Sequence, residues 1–467
     1  MKTKYCCSLF AGMFAVSYTL TFPRVAGAQV PADSNSLLKY AHQATSDDQA
    51  LSAMAIKALR AAGQPGITAL SNVYGKETAA HLQRARAVET TAEDETWNRI
   101  QCAFDSVGEQ RDNYASQLYW FTDLEQAEAS ARASGKPILS LRLLGRLNEE
   151  YSCANSRFFR TTLYANAEVA QYLRENFILH WQSVRPVPII TIDFGDGREI
   201  KRTITGNSIH YILDAEGRPI DALPGLYGAK AFLEGLRRAA AAERQASVLS
   251  GIQREAFLKD YHATQLAGIQ RQWLRDLARV GPTPALPGLT LASKNPDAAV
   301  AARRTISKSA IEAPMLVGGA QVEVVNRNRL VEFASDSTWR AIAALHAEDA
   351  RLDAGALALI HSKQPDGVDA MRLAMSKSFV ETPMMRMVRG LEHSIAEDTV
   401  RNEYQLHARL HQWFADGSAP QDLAALNKRV YAELFLTPDS DPWLGLAPAD
   451  VFSALDNAGL VQSAAPR

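Results

Sequence analysis

The stretch YWFTDLEQAEASARASGKPILSLRLL, residues 119–144, decides how the middle of this chain folds. It predicts a capped helix, in which Thr122 is the N-cap and Glu125, three residues later, completes a capping box. Gly135 ends this helix, and Pro137 prevents its continuation. The apolar run ILSLRLL that follows predicts a strand. A helix that leads directly into a strand indicates a domain in which helices and strands alternate.

The residues after this strand continue the alternation. They predict a helix at 166–177, a strand at 178–184, two hairpins with Gly-containing turns at 189–205 and 208–223, and a closing helix at 228–243. This order implies a mixed sheet covered by helices.

Over residues 119–240 the order of elements and the residues at their boundaries resemble the thioredoxin superfamily, above all its exported bacterial members. The resemblance is carried by Trp120, the Ala-rich helix, the GKP start of the strand, and the hairpin DAEGRPI with Asp214 and Gly217. It covers about a quarter of the chain. It implies an α/β thioredoxin-like domain, a mixed sheet covered by helices, flanked by mainly α-helical regions.

The redox motif of that family is Cys-x-x-Cys at a helix start, and here it is CANS, from Cys153 to Ser156. Only the first, attacking position matches. The resemblance places Ser208 where the family has a cis-proline facing the thiol, and we expect the peptide bond before Ser208 to be trans because a cis bond there is costly. The resemblance therefore implies Cys153, Ser156 and Ser208 as candidate catalytic residues, and Arg157 joins them because its charge near the helix start favours a thiolate.

Three states of Cys153 are open. A thiolate at a helix N-terminus is stabilised by backbone N–H groups and the helix dipole, which Arg157 favours and two glutamates just upstream oppose. Such a thiol reacts with disulfides. Alternatively, Cys153 forms a disulfide with Cys102. This bond would close a loop of about fifty residues and stabilise the fold by roughly 4 kcal/mol. The third state is an inert thiol.

Two functions follow from these alternatives. The first is an exported thioredoxin-fold protein with monothiol disulfide exchange or isomerase-type activity through Cys153, whose partners are protein thiols and disulfides. The second is a non-catalytic thioredoxin-fold scaffold or protein-binding module of the cell envelope, whose partner is an envelope protein. A serine hydrolase is disfavoured because GNSIH around Ser208 lacks the second glycine of a nucleophile elbow. No cofactor is expected.

Residues 1–28 predict a signal peptide. Two early lysines precede a mostly apolar run, and VAGAQV carries Ala26 and Ala28 at the small-residue positions of a cleavage site. We therefore expect cleavage near Ala28 and a periplasmic or secreted protein. No later stretch approaches the roughly 18 apolar residues of a spanning helix, so no membrane span is expected after cleavage.

Composition and length limit the classes of partner and the number of domains. The chain has 467 residues and a formal net charge of −1, which gives no reason to expect nucleic acid or anionic lipid as a partner. The length suggests two or three domains. The patterning divides the mature chain into a helical N-terminal region (29–115), the thioredoxin-like domain (116–245) and a mainly helical C-terminal region (246–467).

One further group has the chemistry of a metal site. Glu403, His407 and His411 fall at i, i+4 and i+8, so they share a helix face and offer metal ligands. The zincin pattern, with glutamate next to the first histidine, is absent. Leu410 and its neighbours form the apolar face of the same helix. The simplest interpretation is that the histidines lie at the polar edge of that face, and no metal is expected.

The C-terminal helices are rich in aromatic residues, and we expect most of these in the core. Trp443, in the turn TPDSDPWLGL, is also expected to pack in the core, although it could instead cap its turn or face a partner.

Overall fold

The computed structural model describes residues 33–86, 95–203, 206–280, 336–363 and 377–444. The expected signal peptide lies outside the described residues. The N-terminal part is helical, with α1 Ser34–Gln43, α2 Gln49–Ala62, α3 Gln64–Arg86, α4 Glu95–Gly108 and α5 Asn113–Ser116. The side chains of Asp33 and Asp48 cap α1 and α2 by accepting backbone N–H groups of the first turn. These helices share a hydrophobic core that includes Leu59, Leu70 and Phe104.

The centre of the chain contains seven strands: β1 Trp120–Phe121, β2 Ile138–Leu144, β3 Ile178–Arg185, β4 Ile189–Asp193, β5 Glu199–Thr203, β6 Ser208–Leu213 and β7 Pro219–Pro224. Five of them form one sheet in the order β1-β3-β2-β6-β7. β3 is parallel to both β1 and β2, whereas β6 is antiparallel to β2 and β7 is antiparallel to β6. The mixed sheet predicted from the order of elements is therefore present. β4 and β5 form a separate two-stranded hairpin.

Four helices accompany these strands: α6 Leu124–Ser134, α7 Ala154–Phe158, α8 Ala167–Asn176 and α9 Ala229–Ala246. The prediction of Thr122 as the N-cap of α6 was wrong by one residue. Asp123 has the extended backbone of an N-cap, and its carboxylate accepts the Gln126 N–H at 3.1 Å. Gly135 ends α6 as predicted, with the positive φ of +68° that a helix C-terminus favours.

The C-terminal part of the described chain is helical. Its helices are α10 Gly251–Val280, α11 Asp336–Leu345, α12 Ala354–Ser362, α13 Lys377–Arg401, α14 Ala408–Ala415 and α15 Leu423–Arg429, and π-helical turns occupy Asn402–His407 and Val430–Leu434. In the part of the chain that the structure describes, no helix has the length and apolarity needed to cross a bilayer. The prediction of a core position for Trp443 was wrong, because its side chain is 39% exposed.

The C-terminal helices pack directly on the sheet. Sheet residues such as Tyr211 share one hydrophobic core with Leu410 and Trp413 of α14. Hydrogen bonds reinforce this packing: the Arg185 guanidinium donates to the Thr437 carbonyl at 2.8 Å, and the Asn402 amide donates to the Leu226 carbonyl at 2.7 Å. The end of the sheet that holds the predicted site is therefore next to the C-terminal helices.

Candidate functional site

Cys153 and Ser208 lie at the same end of the central strands. Cys153 is the N-cap of α7, and its backbone N–H donates to the carbonyl of Leu144, the last residue of β2. Ser208 is the first residue of β6 and pairs with Leu143 in β2. The antiparallel pairing of β2 and β6 thus brings the end of one strand and the start of the other to one edge.

The Cys153 side chain is fully buried in the main hydrophobic core. This burial raises the pKa of the thiol, and the nearby Ser156 and Arg157 offset the effect only in part. α7 is only five residues long. Neither Cys102 nor Cys153 is in a disulfide, so the alternative of a bond between them does not hold. The sulfur is at a helix start, but its surroundings favour the neutral thiol.

Ser156 and Arg157 stabilise the backbone around the motif. The Ser156 hydroxyl donates to the Cys153 carbonyl at 3.0 Å. The Arg157 guanidinium donates to the Thr203 hydroxyl at 2.9 Å and to the Ser152 carbonyl at 3.2 Å. These contacts fix the segment before α7 against the end of the β4–β5 hairpin.

The peptide bond before Ser208 is trans as predicted, since no cis bond occurs among the described residues. Ser208 is fully buried, and its hydroxyl has no hydrogen-bond partner in the described part of the chain. The preceding Asn207 is held by the C-terminal segment: its carbonyl accepts the Tyr431 hydroxyl at 3.1 Å, and its amide donates to the Thr437 hydroxyl at 3.2 Å.

A second C-terminal element covers α7 itself. Ala154 and Asn155 of α7 line a small, mostly apolar cavity together with Leu391 and Ile395 of α13. The C-terminal region therefore contacts both α7 and the start of β6. Cys153, the residue before Ala154, is itself fully buried in the main hydrophobic core.

His210 of β6 is a packed core residue. Its Nε2 is 2.7 Å from the Tyr164 hydroxyl, and its ring packs against Phe159 and Phe232. Burial lowers the pKa of His210 to about 3. The imidazole is therefore neutral near pH 7, and its polar contact is to a tyrosine rather than to the Ser208 hydroxyl.

His407 and His411 are buried, so the prediction that they lie at the polar edge of the helix was wrong. Strand β7 and helix α10 pack against this face, and they contribute Asp221 and His262. The 402–407 turn is π-helical, a local widening that is frequent at functional sites. Four elements thus bring polar side chains into one buried cluster, which we call the His407 cluster: Asp221, Tyr261, His262, Glu403, His407 and His411.

Hydrogen bonds and charges connect the members of the His407 cluster. His407 Nδ1 is 2.8 Å from Glu403 Oε2, and its Nε2 is 3.6 Å from Asp221 Oδ1. Burial alone would lower the pKa of His407, but the two carboxylates raise it to about 9. Burial likewise opposes ionisation of Glu403, but His407 and Arg238 lower its pKa to about 2.

Sequence reasoning missed Asp221, Tyr261 and His262, because they come from β7 and α10 rather than from the helix that carries the other members. The only available signal was the aspartate within the apolar strand PIDALP, where a fully buried carboxylate requires partners.

No protein-family model matches this chain, and comparisons with curated proteins and with solved structures find no similar protein. The geometry of the molecule is therefore the basis for assigning its function.

Proposed function

We propose that this protein is a non-catalytic, protein-binding module of the cell envelope, exported by its N-terminal segment and built on a thioredoxin-like fold. The observation that carries this proposal is the complete burial of Cys153 in the main hydrophobic core, to which the C-terminal helices contribute. Thiol–disulfide exchange requires a thiolate that reaches a disulfide sulfur. Burial disfavours the thiolate and blocks the approach.

The thioredoxin-like part of the proposal is supported by the order of elements over residues 119–240 and by the five-stranded mixed sheet. The sheet acts as a scaffold, because the hydrogen bonds of Arg185 and Asn402 join it to the C-terminal helices. Disulfide exchange through Cys153 is the competing function. It is favoured only by the position of the sulfur at the start of α7.

Native protein treated with iodoacetamide between pH 6 and 8 is expected to remain unmodified at Cys153, because the sulfur is enclosed. Peptide mapping by mass spectrometry assigns each label to its own cysteine. After unfolding in guanidinium chloride, Cys153 is expected to react fully, and this unfolded sample is the control for intrinsic reactivity. Rapid labelling of native Cys153 below pH 7 would instead support the competing redox function.

The protein-binding part of the proposal is supported by the β4–β5 hairpin. Ile190 and Ile192 of β4, together with Phe194 directly after it, alternate along the chain and are between 40% and 51% exposed. Ile200 of β5 pairs with Ile192, and the Arg198 guanidinium lies over the Phe194 ring. Contiguous exposed apolar residues of this kind mark interaction surfaces. The Arg198 guanidinium is already paired with Asp196 at 2.6 Å, so the apolar residues define this surface and favour a partner that presents apolar side chains.

A photo-cross-linking amino acid placed at Phe194 is expected to give one discrete adduct in cells that naturally make the protein. The same probe at Val248, which is 82% exposed and lies outside the hairpin, is the matched control and is expected not to give it. Adding Ile192→Asp should abolish the adduct, because a carboxylate in the apolar face opposes docking. Equal adducts from positions 194 and 248, or none at 194, would contradict a hairpin interface.

A further inference from the structure

The His407 cluster brings together three groups that commonly bind metal ions. Asp221, His407 and His411 each offer one ligand atom, and these three atoms lie within 4.8 Å of one another. The three side chains are only 1–3% exposed. Asp221 comes from β7 and the histidines from the segment 402–415, so the site is assembled by tertiary packing.

The hydrogen bonding of His407 leaves one of its nitrogens available as a ligand. Its Nδ1 is 2.8 Å from Glu403 Oε2, so the Nδ1–H donates to that carboxylate. Its Nε2 is buried and has no hydrogen-bond partner in the described ranges. Metal-binding histidines almost always hold their second nitrogen in this way, which fixes the tautomer and the ring orientation.

The distance between His407 Nε2 and Asp221 Oδ1 fits an ion placed between them. At 3.6 Å this distance is too long for a direct hydrogen bond. Two atoms that share a tetrahedral zinc ion, with bonds of about 2.0–2.2 Å, lie about 3.3–3.6 Å apart. Because His407 is protonated in the metal-free protein, an ion that binds here takes the place of the Nε2 proton, and the 3.6 Å spacing leaves room for it.

Helix α10 supports the other two ligands. The Tyr261 hydroxyl donates to Asp221 Oδ2 at 2.6 Å and fixes the carboxylate. His262 Nδ1 is 2.8 Å from His411 Nδ1 and orients that ring. Tyr261 also lines a surface depression between α9 and α10, together with Arg238. The depression therefore reaches Tyr261, the residue that fixes the Asp221 carboxylate.

We propose that Asp221, His407 and His411 bind a divalent transition-metal ion of the zinc type, with Glu403 and His262 as positioning residues. Two imidazole nitrogens and one carboxylate oxygen are a ligand set that suits zinc. The ion connects β7 to the 402–415 segment and, through Tyr261 and His262, to α10. Its role is to stabilise the packing of the C-terminal helices on the sheet, and it does not depend on the chemistry of Cys153.

The test is titration of metal-stripped full-length protein with Zn²⁺ and, separately, Co²⁺. We expect one ion per chain, a higher midpoint of thermal unfolding with Zn²⁺, and the intense visible absorption of four-coordinate Co²⁺. The expected spectrum lacks thiolate-to-cobalt charge transfer, which excludes binding by the cysteines. Failure of the stripped protein to bind either ion, or a spectrum of weak octahedral type, overturns the proposal.

Variants assign the site to these residues. His407→Gln and His411→Gln are expected to abolish stoichiometric binding. Glu403→Gln is expected to weaken Zn²⁺ binding about 10–100-fold, since it removes the negative charge that makes His407 a stronger ligand. His210→Gln, which changes an equally buried histidine outside the cluster, is the matched control and should retain one ion. Undiminished binding by Glu403→Gln and by either ligand variant overturns the assignment. If a ligand variant does not fold, Glu403→Gln and the wild-type Co²⁺ spectrum decide.

Discussion

Replacing Trp120 by alanine is expected to lower the free energy of unfolding by about 3–5 kcal/mol. Trp120 is among the largest fully buried side chains of the described residues. It packs against Tyr164, and its indole N–H donates to Gln110 Oε1 at 2.9 Å. The substitution leaves a large cavity between the N-terminal helices and the sheet. It also leaves the buried Gln110 carbonyl without its donor, which places the loss near the upper end of that range.

The matched control is Trp443→Ala, which truncates the same kind of side chain at a position that is 39% exposed. Its expected cost is small, because much less apolar surface returns to water. Urea unfolding of the two variants and the wild type, followed by circular dichroism, gives the comparison. Equal losses for the two tryptophans would contradict the assignment of Trp120 to the core.

The sheet could be predicted from sequence because its signals are local. The run ILSLRLL is apolar apart from Ser140 and Arg142, and all seven of its residues are buried in β2. Such a continuous run is typical of a strand covered on both faces. The Thr122 error is also local: Thr122 and Asp123 are both good N-caps, and only the backbone decides which of them adopts the extended conformation.

The state of Cys153 could not be predicted in the same way. The sequence indicated a helix start, and the sulfur lies there, but the core that buries it also contains residues far downstream, such as Leu410. The hydroxyl of Tyr431 donates to the carbonyl of Asn207, although Tyr431 lies 224 positions after Asn207 in the sequence. The His407 cluster has the same origin, because a helical spacing places three side chains on one face but does not reveal that β7 and α10 pack on that face. Long-range packing, not local pattern, decides whether each group is exposed.

Replacing Asp276 by alanine is expected to lower the free energy of unfolding by about 3–5 kcal/mol, because it removes the shared partner of a buried network. Asp276 of α10 is fully buried. Its carboxylate accepts the Tyr404 hydroxyl and is 2.8 Å from His346 Nε2, so it joins three helical segments. Asp47→Ala is the matched control. Asp47 pairs with Arg99 at an exposed position, where an ion pair is worth roughly 0–1 kcal/mol.

The pH dependence of the same network distinguishes lost charge pairing from simple loss of volume. The hydrogen bond to Asp349 is the largest cause that raises the pKa of His346, and the hydrogen bond to Asp276 adds to it. Burial opposes both effects. A raised histidine pKa contributes stability that is fully present below the unfolded-state pKa of about 6.5. That contribution is lost as the pH rises through the higher folded-state pKa. The extra stability of the wild type over His346→Gln and over Asp276→Ala, measured by urea unfolding from pH 5.5 to 8.5, should therefore shrink as the pH rises. A difference between wild type and His346→Gln that stays constant over this range would assign the pH dependence to other groups.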